Sequence, residues 1–96
     1  MSFDRGCALA NAAVELPEKE HPARAIIEAF KTRQREKLVQ LCRAAGFLEP
    51  ERLADEIFLL LEGARINIQT VGARGPGSRF AAMAGDVIKA HKRRKR

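Results

Sequence analysis

The stretch that decides the fold is PERLADEIFLLLEGARINIQTV, residues 50–71. Its apolar residues recur three or four positions apart and fall within about 60° of one line on a helical wheel of 3.6 residues per turn. They are Leu53, Ile57, Leu60, Leu61, Ala64, Ile68 and Val71. Pro50 and Glu51 suit the first turn of a helix. The stretch therefore predicts an amphipathic helix that ends near Gly72.

The same stretch also carries apolar residues on its opposite side. Leu59 and Ile66 lie nearly opposite the stripe, and Phe58 lies to one side. Gly63 stands in mid-helix, where glycine costs about 1 kcal/mol relative to alanine. Close approach of another helix backbone is a physical reason to accept that cost. The pattern predicts a helix that is covered twice, by its own domain and by a second surface.

Three further helical segments flank this one. They are predicted at about Asp4–Leu16, Pro22–Ala45 and Pro76–His91. Pro17 stops the first of them, and Gly46 is the expected C-cap of the second. A flexible glycine-rich loop over residues 72–79 leads into the last, which can begin at Pro76 or at Ser78. The predicted fold is all-α, a four-helix antiparallel bundle in which residues 50–71 form the third helix.

The flanking helices have apolar stripes of their own. The stripe of the second predicted helix is Ile26, Ile27, Phe30, Gln34, Leu38, Leu41 and Ala45. The stripe of the fourth is Phe80, Met83, Ala84 and Val87, with Ile88 beside it. The charged run KTRQREK, residues 31–37, predicts a solvated face that puts the second helix at the rim of the domain.

The net charge of the chain comes from one end. The chain has 18 lysines and arginines against 12 aspartates and glutamates, a net charge of +6. Six of the basic residues and no acidic residue lie in KAHKRRKR, residues 89–96, so the other 12 basic residues balance the 12 acidic ones. The basic tail is defined as Lys92, Arg93, Arg94, Lys95 and Arg96, and it is predicted to be disordered beyond a folded domain of residues 1–91. The charge does not by itself indicate nucleic-acid recognition by the fold.

The cysteines and the short apolar runs favour a cytoplasmic location. Cys7 and Cys42 are too far apart and too few for a disulfide framework or a zinc site, which favours buried thiols in a reducing environment. The chain opens without a basic segment followed by a long apolar one, so no signal peptide is predicted. Its apolar runs are far shorter than the ~20 residues of a membrane span. A cytoplasmic protein that does not enter the membrane is expected.

No motif in the sequence predicts catalysis. Gly72, Gly75 and Gly77 form G-x-x-G-x-G, but neither the Lys-Ser/Thr of a phosphate loop nor a preceding strand accompanies them. His21 and His91 have no second metal ligand three or four residues away. No nucleophile stands beside a general base. The sequence therefore predicts neither an enzyme nor a metal or cofactor site.

Three segments carry a resemblance to a known family. They are RGCALANAAVEL at Arg5–Leu16, HPAR at His21–Arg24 and LADEIFLLLEGA at Leu53–Ala64. Together they resemble the C-terminal regulatory half of tetracycline-repressor-type (TetR) transcriptional regulators, and the resemblance covers about residues 4–91. The helix-turn-helix domain that precedes this half in the family has no counterpart before Arg5, so the resemblance implies no sequence-specific DNA reading by the chain itself.

The resemblance implies dimerisation and effector binding. In such regulators the last two long helices of each protomer pack as a four-helix dimer interface, which would be the third and fourth predicted helices. The expected interface residues are Leu59, Gly63, Ile66, Phe80, Met83 and Val87. The residues expected to contact a small hydrophobic effector lie on or near the edges of the apolar stripes: Asn11, Phe30, Phe58, Glu62 and Arg65.

The sequence is compatible with more than one partner and more than one function. The chain is expected to form a homodimer, with a heterodimer with full-length relatives as an alternative. A second hypothesis is a small nucleic-acid-associated protein that uses the basic tail for non-specific, salt-dependent phosphate contacts. The tail has no interleaved aromatic residue for base stacking. An enzyme has the least support.

Overall fold

The computed structural model describes residues 22–95, and the first predicted helix, residues 4–16, lies outside the described residues. The described part contains the helices α1 (Pro22–Ala44), α2 (Pro50–Val71) and α3 (Phe80–Ala90), with a 3₁₀ turn at Pro76–Arg79 before α3. The all-α prediction is confirmed for these residues. None of these helices has the length and apolar character that crossing a membrane requires.

Glycines end the first two helices, as the sequence predicts. Gly46 has φ +88° and donates its backbone N–H to the carbonyl of Arg43. Gly72 has φ +85° and donates to the carbonyl of Ile68 at 2.8 Å. Residues with a Cβ rarely adopt this left-handed backbone, so glycine is the residue that closes each helix here at little steric cost.

The core lies where α1 and α3 meet α2. Its centre is formed by Val39, Cys42, Leu53 and Ala54, against which Leu38, Phe47, Ile57 and Val87 pack. Cys42 is a free, buried thiol, as its sequence context predicts, and burial raises its pKa. The stripe predicted for α2 is confirmed at Leu53, Ala64 and Ile68, which are buried, but it is wrong at Val71, which is 59% exposed at the end of the helix.

The stripe predicted for α1 is wrong in part. Ile26 and Leu41 belong to it but are 69% and 68% exposed. The buried residues of α1 are Ile27, Val39 and Cys42. Apolar residues are spread around this 23-residue helix, and only those that face α2 are covered.

Ion pairs join α1 to α2 along one side. Arg35 Nε lies 2.6 Å from Asp55 Oδ1, and Lys31 Nζ lies 2.7 Å from Glu62 Oε1. Both basic residues come from the run that was expected to be a solvated face. The Lys31 side chain is only 17% exposed, so this part of α1 contacts α2 through its charges.

The glycine-rich loop is held against α2. The backbone N–H of Gly77 donates to Asn67 Oδ1 at 2.8 Å, and the Ser78 hydroxyl donates to the Gly75 carbonyl at 2.7 Å. A Cβ on Gly77 would lie 2.6 Å from the carbonyl oxygen of Ala64. The prediction of a flexible linker is therefore replaced by a 3₁₀ turn that packs closely on α2 and sets where α3 begins.

The start of the basic tail lies against the turn between α1 and α2. Leu48 donates its N–H to the Lys92 carbonyl at 3.0 Å, and Arg94 donates to the Gly46 carbonyl at 2.7 Å. These bonds flank a short antiparallel bridge between Phe47 and Arg93. Residues 92–95 thus differ from the disordered tail that composition predicted, because backbone pairing and not apolar burial holds them.

Candidate interaction surface

A groove runs between α2 and α3 on the surface of the domain. Its volume is about 240 Å³. The residues that line it are uncharged: Leu59, Leu60, Gly63, Ala64, Asn67, Pro76, Gly77, Phe80 and Met83. A lining of this kind suits contact with an apolar surface, since it imposes no cost for burying a charge.

The spacing of the α2 residues explains the shape of this groove. Leu60, Gly63, Ala64 and Asn67 follow the i, i+3, i+4, i+7 pattern that forms one patch on a helix. The two middle positions are the small residues Gly63 and Ala64, which leave a depression in the helix surface. The far wall comes from α3, which the bond between Asn67 and Gly77 brings alongside α2.

Large apolar side chains project beside the groove. Leu59 is 70% exposed and stands on its rim. Ile66 lies two turns further along the same face of α2 and is 41% exposed, and Met83 of α3 is also exposed. The opposite face of α2 forms the core. The expectation that α2 is apolar on two sides therefore holds, and nothing within residues 22–95 covers Leu59 on the second side.

The structure places the six predicted interface residues in three settings. Leu59, Gly63, Phe80 and Met83 line the groove. Ile66 lies outside its lining but is exposed nearby. Val87 packs against the core of its own chain. No atom outside the local helix lies within 4 Å of a Cβ built on Gly63, so the helix expected to approach it closely is not among the described residues of this chain.

The residues that the sequence missed in the groove are Leu60, Ala64, Asn67, Pro76 and Gly77. The sequence pattern could have identified Leu60, Ala64 and Asn67, because their spacing with Gly63 places all four residues in one patch on a helix. Leu60 and Ala64 belong to the stripe predicted for the core, and Ala64 is buried even though it also lines the groove. Pro76 and Gly77 gave no signal, since their position depends on how the loop folds back.

A second cleft of about 420 Å³ lies between α1 and α2. It is lined by Lys31, Thr32, Arg35, Asp55, Phe58 and Leu59. The Lys31 ammonium lies 5.7 Å from the centre of the Phe58 ring while it also pairs with Glu62. This cleft therefore combines an aromatic wall with two basic and one acidic side chain.

The cleft brings together part of the predicted effector site. Phe58 lines it, and Glu62 reaches it through Lys31. Glu62 of α2 pairs with Lys31 of α1, and the two atoms Lys31 Nζ and Glu62 Oε1 are 2.7 Å apart. Phe30 and Arg65 are half-buried and do not line the cleft, and Asn11 lies outside the described residues.

The electrostatics of this cleft are dominated by one pair. The hydrogen bond and charge of Arg35 lower the pKa of the Asp55 carboxyl, and Asp55 in turn raises the pKa of Arg35. The Asp55 side chain is 49% exposed, so solvent screens the pair and limits its contribution to stability.

His91 follows the C-terminal end of α3 and makes a contact with α2 that the sequence did not predict. Its side chain is only 9% exposed, and Nε2 lies 3.0 Å from Glu56 Oε1 on α2. Arg52 contacts the same carboxylate oxygen at 3.1 Å. The fold returns residue 91 to α2, so the His91 side chain is mostly buried there and has a carboxylate partner.

One cation of the basic tail is bound to the fold, and others are exposed to solvent. The Arg93 guanidinium donates two hydrogen bonds to the Ala45 carbonyl and lies 5.4 Å from the Phe47 ring. It thereby supplies a hydrogen-bond donor to a carbonyl group at the C-terminal end of α1, where the helix dipole favours a cation. Lys92, Arg94 and Lys95 are exposed, and none of them pairs with a carboxylate within residues 22–95.

Comparisons of the chain with models of protein families, with curated proteins and with solved structures found no match. Within residues 22–95, no three histidine, cysteine, aspartate or glutamate side chains are placed so that they could hold a metal ion. Three features of the described residues carry a functional interpretation: the groove between α2 and α3, the cleft between α1 and α2, and the exposed charges of the basic tail.

Proposed function

We propose that this chain is a regulatory and dimerisation domain of the TetR type, and that it pairs with a second copy through α2 and α3. The observation that carries the proposal is the uncharged groove between these helices, bordered by the exposed side chains of Leu59, Ile66 and Met83. Water-exposed leucine, isoleucine and methionine clustered on one face are typical of protein interfaces.

The proposed dimer has four helices at its centre, α2 and α3 from each protomer. This arrangement agrees with the family that the sequence resembles, in which the last two long helices of each chain form the interface. It supplies a cover for the face of α2 on which Leu59 and Ile66 are exposed within residues 22–95. A full-length relative with the same two helices could replace the second copy, which gives the heterodimer as a variant of the same contact.

The cleft between α1 and α2 is the proposed effector site. The Phe58 ring offers an apolar wall, and Lys31 and Arg35 offer cationic groups whose present partners are Glu62 and Asp55. A small apolar molecule with an acidic group could stack on the ring and compete for one of these cations. Effector binding would then weaken an ion pair between α1 and α2, which links the site to the packing of the helices.

The dissociation constant of the dimer tests the main proposal. Leu59→Glu and Ile66→Glu would each bury a charge without a partner and are expected to weaken dimerisation on the order of 100-fold. Leu41→Glu is the matched control, because Leu41 is as exposed as Leu59 but lies on α1. Sedimentation equilibrium measures all four proteins. Equal dissociation constants for the parent and all three variants would overturn the proposal.

A second function is favoured by the exposed charges of the basic tail. Lys92, Arg94 and Lys95 have no acidic partner within the described part of the chain, so they are available to phosphates of nucleic acid. Binding of this type is independent of sequence and falls steeply as salt rises. Arg94→Ala with Lys95→Ala would abolish it while Arg93 keeps its bonds to α1. Salt-independent binding, or binding unaffected by the two substitutions, would exclude this function.

A further inference from the structure

We infer that Leu59 of one chain inserts into the depression around Gly63 of a second copy, in an antiparallel and reciprocal contact between two α2 helices. This inference rests on the proposed dimerisation and specifies its register. It is carried by the shape of one face of α2: a projecting leucine and, one turn away, a hole that no side chain of the described chain fills.

The hole has the composition of a helix-packing site. When helices interlock, each projecting side chain enters a hole formed by four residues at i, i+3, i+4 and i+7 of the facing helix. In this chain those four positions are Leu60, Gly63, Ala64 and Asn67, and all four line the groove. The two small residues lie at the middle of the hole, where the incoming side chain needs room.

The size of the groove suits an apolar side chain. A buried cavity of about 150 Å³ accommodates benzene, whereas this groove offers about 240 Å³. A leucine side chain has four carbon atoms and is smaller than benzene. A Cβ built on Gly63 would meet nothing within 4 Å beyond its own helix backbone, so the space in front of this residue is open.

A second copy is favoured as the occupant because the surface is complementary to itself. In a two-fold interface, if residue i of one chain contacts residue j of the other, then j of the first contacts i of the second. Leu59 and Gly63 lie one helical turn apart on the same face. A two-fold axis that crosses α2 between these residues therefore places the Leu59 of each chain over the hole of the other chain.

Charge also agrees with pairing between identical surfaces. Two copies of one surface bring like charges together wherever that surface is charged, and such contacts are costly. None of the nine residues that line the groove carries a charge. Glu62, which precedes Gly63 in the sequence, is paired with Lys31 of α1.

Filling the hole tests this register. Gly63→Leu is expected to leave the single chain folded, because the space is open and leucine favours helix more than glycine does. It should weaken dimerisation roughly 30-fold or more, since each interface contains two filled holes. Gly85→Leu is the matched control: Gly85 is also in mid-helix with open space at its Cβ, but it does not line the groove.

Disulfide cross-linking between two variants measures the contact directly. In a Cys7→Ser background, protein with Leu59→Cys is mixed with protein carrying Gly63→Cys and is oxidised. The inference predicts that the mixed cross-link between positions 59 and 63 forms faster than either link between identical positions. A dimer that persists in Gly63→Leu, or that cross-links fastest between identical positions, would overturn the register and leave dimerisation standing. A parent chain that is monomeric would overturn both.

Discussion

Single residues decide how closely the loop after α2 returns to that helix. Gly77 lies against the Ala64 carbonyl, and its N–H is bound by the Asn67 side chain. These two contacts set the position of Phe80 and Met83, which form the far wall of the groove. The geometry of the candidate interface therefore depends on one glycine and one amide that are not themselves part of an apolar stripe.

A pair of glycine substitutions tests this dependence. Gly77→Ala is expected to destabilise the fold by about 1–3 kcal/mol, because the new Cβ would lie 2.6 Å from a backbone carbonyl oxygen. Gly85→Ala meets open space in α3 and is expected to stabilise it by up to about 1 kcal/mol. Urea unfolding followed by circular dichroism measures both. Equal effects of the two substitutions would show that Gly77 is not tightly packed.

The Arg35–Asp55 pair has a predictable dependence on pH. Because Arg35 lowers the pKa of Asp55 in the folded chain, the pair contributes stability above the ordinary value of 3.8, and this contribution is lost as the pH falls through the lowered pKa. Since both side chains are partly exposed, solvent screens the pair and keeps this contribution small.

The variant Arg35→Gln measures that contribution. It is expected to be less stable than the parent at pH 6, and the difference should disappear as the pH is lowered towards 2. Arg33→Gln, an exposed change two residues away on α1, serves as the control. A stability difference that stays constant over this pH range would contradict the role assigned to Asp55.

At the scale of the elements, α2 is the helix to which every other part is attached. α1 pairs with it through Lys31 and Arg35, the 3₁₀ turn is bound by Asn67, and the end of α3 is bound through His91 and Glu56. Among the elements of residues 22–95, none covers the face of α2 that carries Leu59, Gly63 and Ile66.

The contact between His91 and Glu56 is predicted to fix the end of α3 on α2. His91→Ala removes a mostly buried hydrogen-bonding side chain and is expected to cost about 1–2 kcal/mol. Lys89→Ala, an exposed change in the last turn of the same helix, should cost much less. Thermal unfolding compares the two. A similar loss for both variants would mean that the histidine contact adds little.

Local patterns predicted the helices better than their contacts. The sequence predicted the bounds of α1 and α2, the glycines that end them and the buried line of α2, because these depend on neighbours within a turn or two. It did not predict the Asn67–Gly77, His91–Glu56 or Arg93–Ala45 contacts, whose partners are 10, 35 and 48 residues apart. It also misassigned Ile26 and Leu41, since periodicity does not reveal which side of a helix is covered.

The candidate site was predicted to a similar degree. Leu59, Gly63, Phe80 and Met83 were identified from their apolar character and from a glycine that helix propensity disfavours. The sequence did not reveal that Val87 packs against the core and not at the groove. Which apolar residues of α3 face inward depends on the rotation of α3 about its own axis relative to α2. Its rotation is fixed by the loop, which the sequence had described as flexible.

At the scale of the whole molecule, the described chain has a small core and an uncovered apolar face. Eight hydrophobic residues between positions 22 and 95 are buried. Small domains bury a lower fraction of their surface than large ones, and association with a second subunit adds to what the core supplies. The proposed pairing of α2 and α3 with a second copy would account for both features.

The molar mass of the unmodified chain in solution tests this central claim most directly. Light scattering after size exclusion, at moderate salt and over a range of concentrations, distinguishes a monomer of 10.7 kDa from a dimer of twice that mass. The proposed interface predicts the dimer mass, falling to the monomer mass on dilution and in the Leu59→Glu variant but not in Leu41→Glu. A well-folded chain that remains at the monomer mass at every concentration would contradict it.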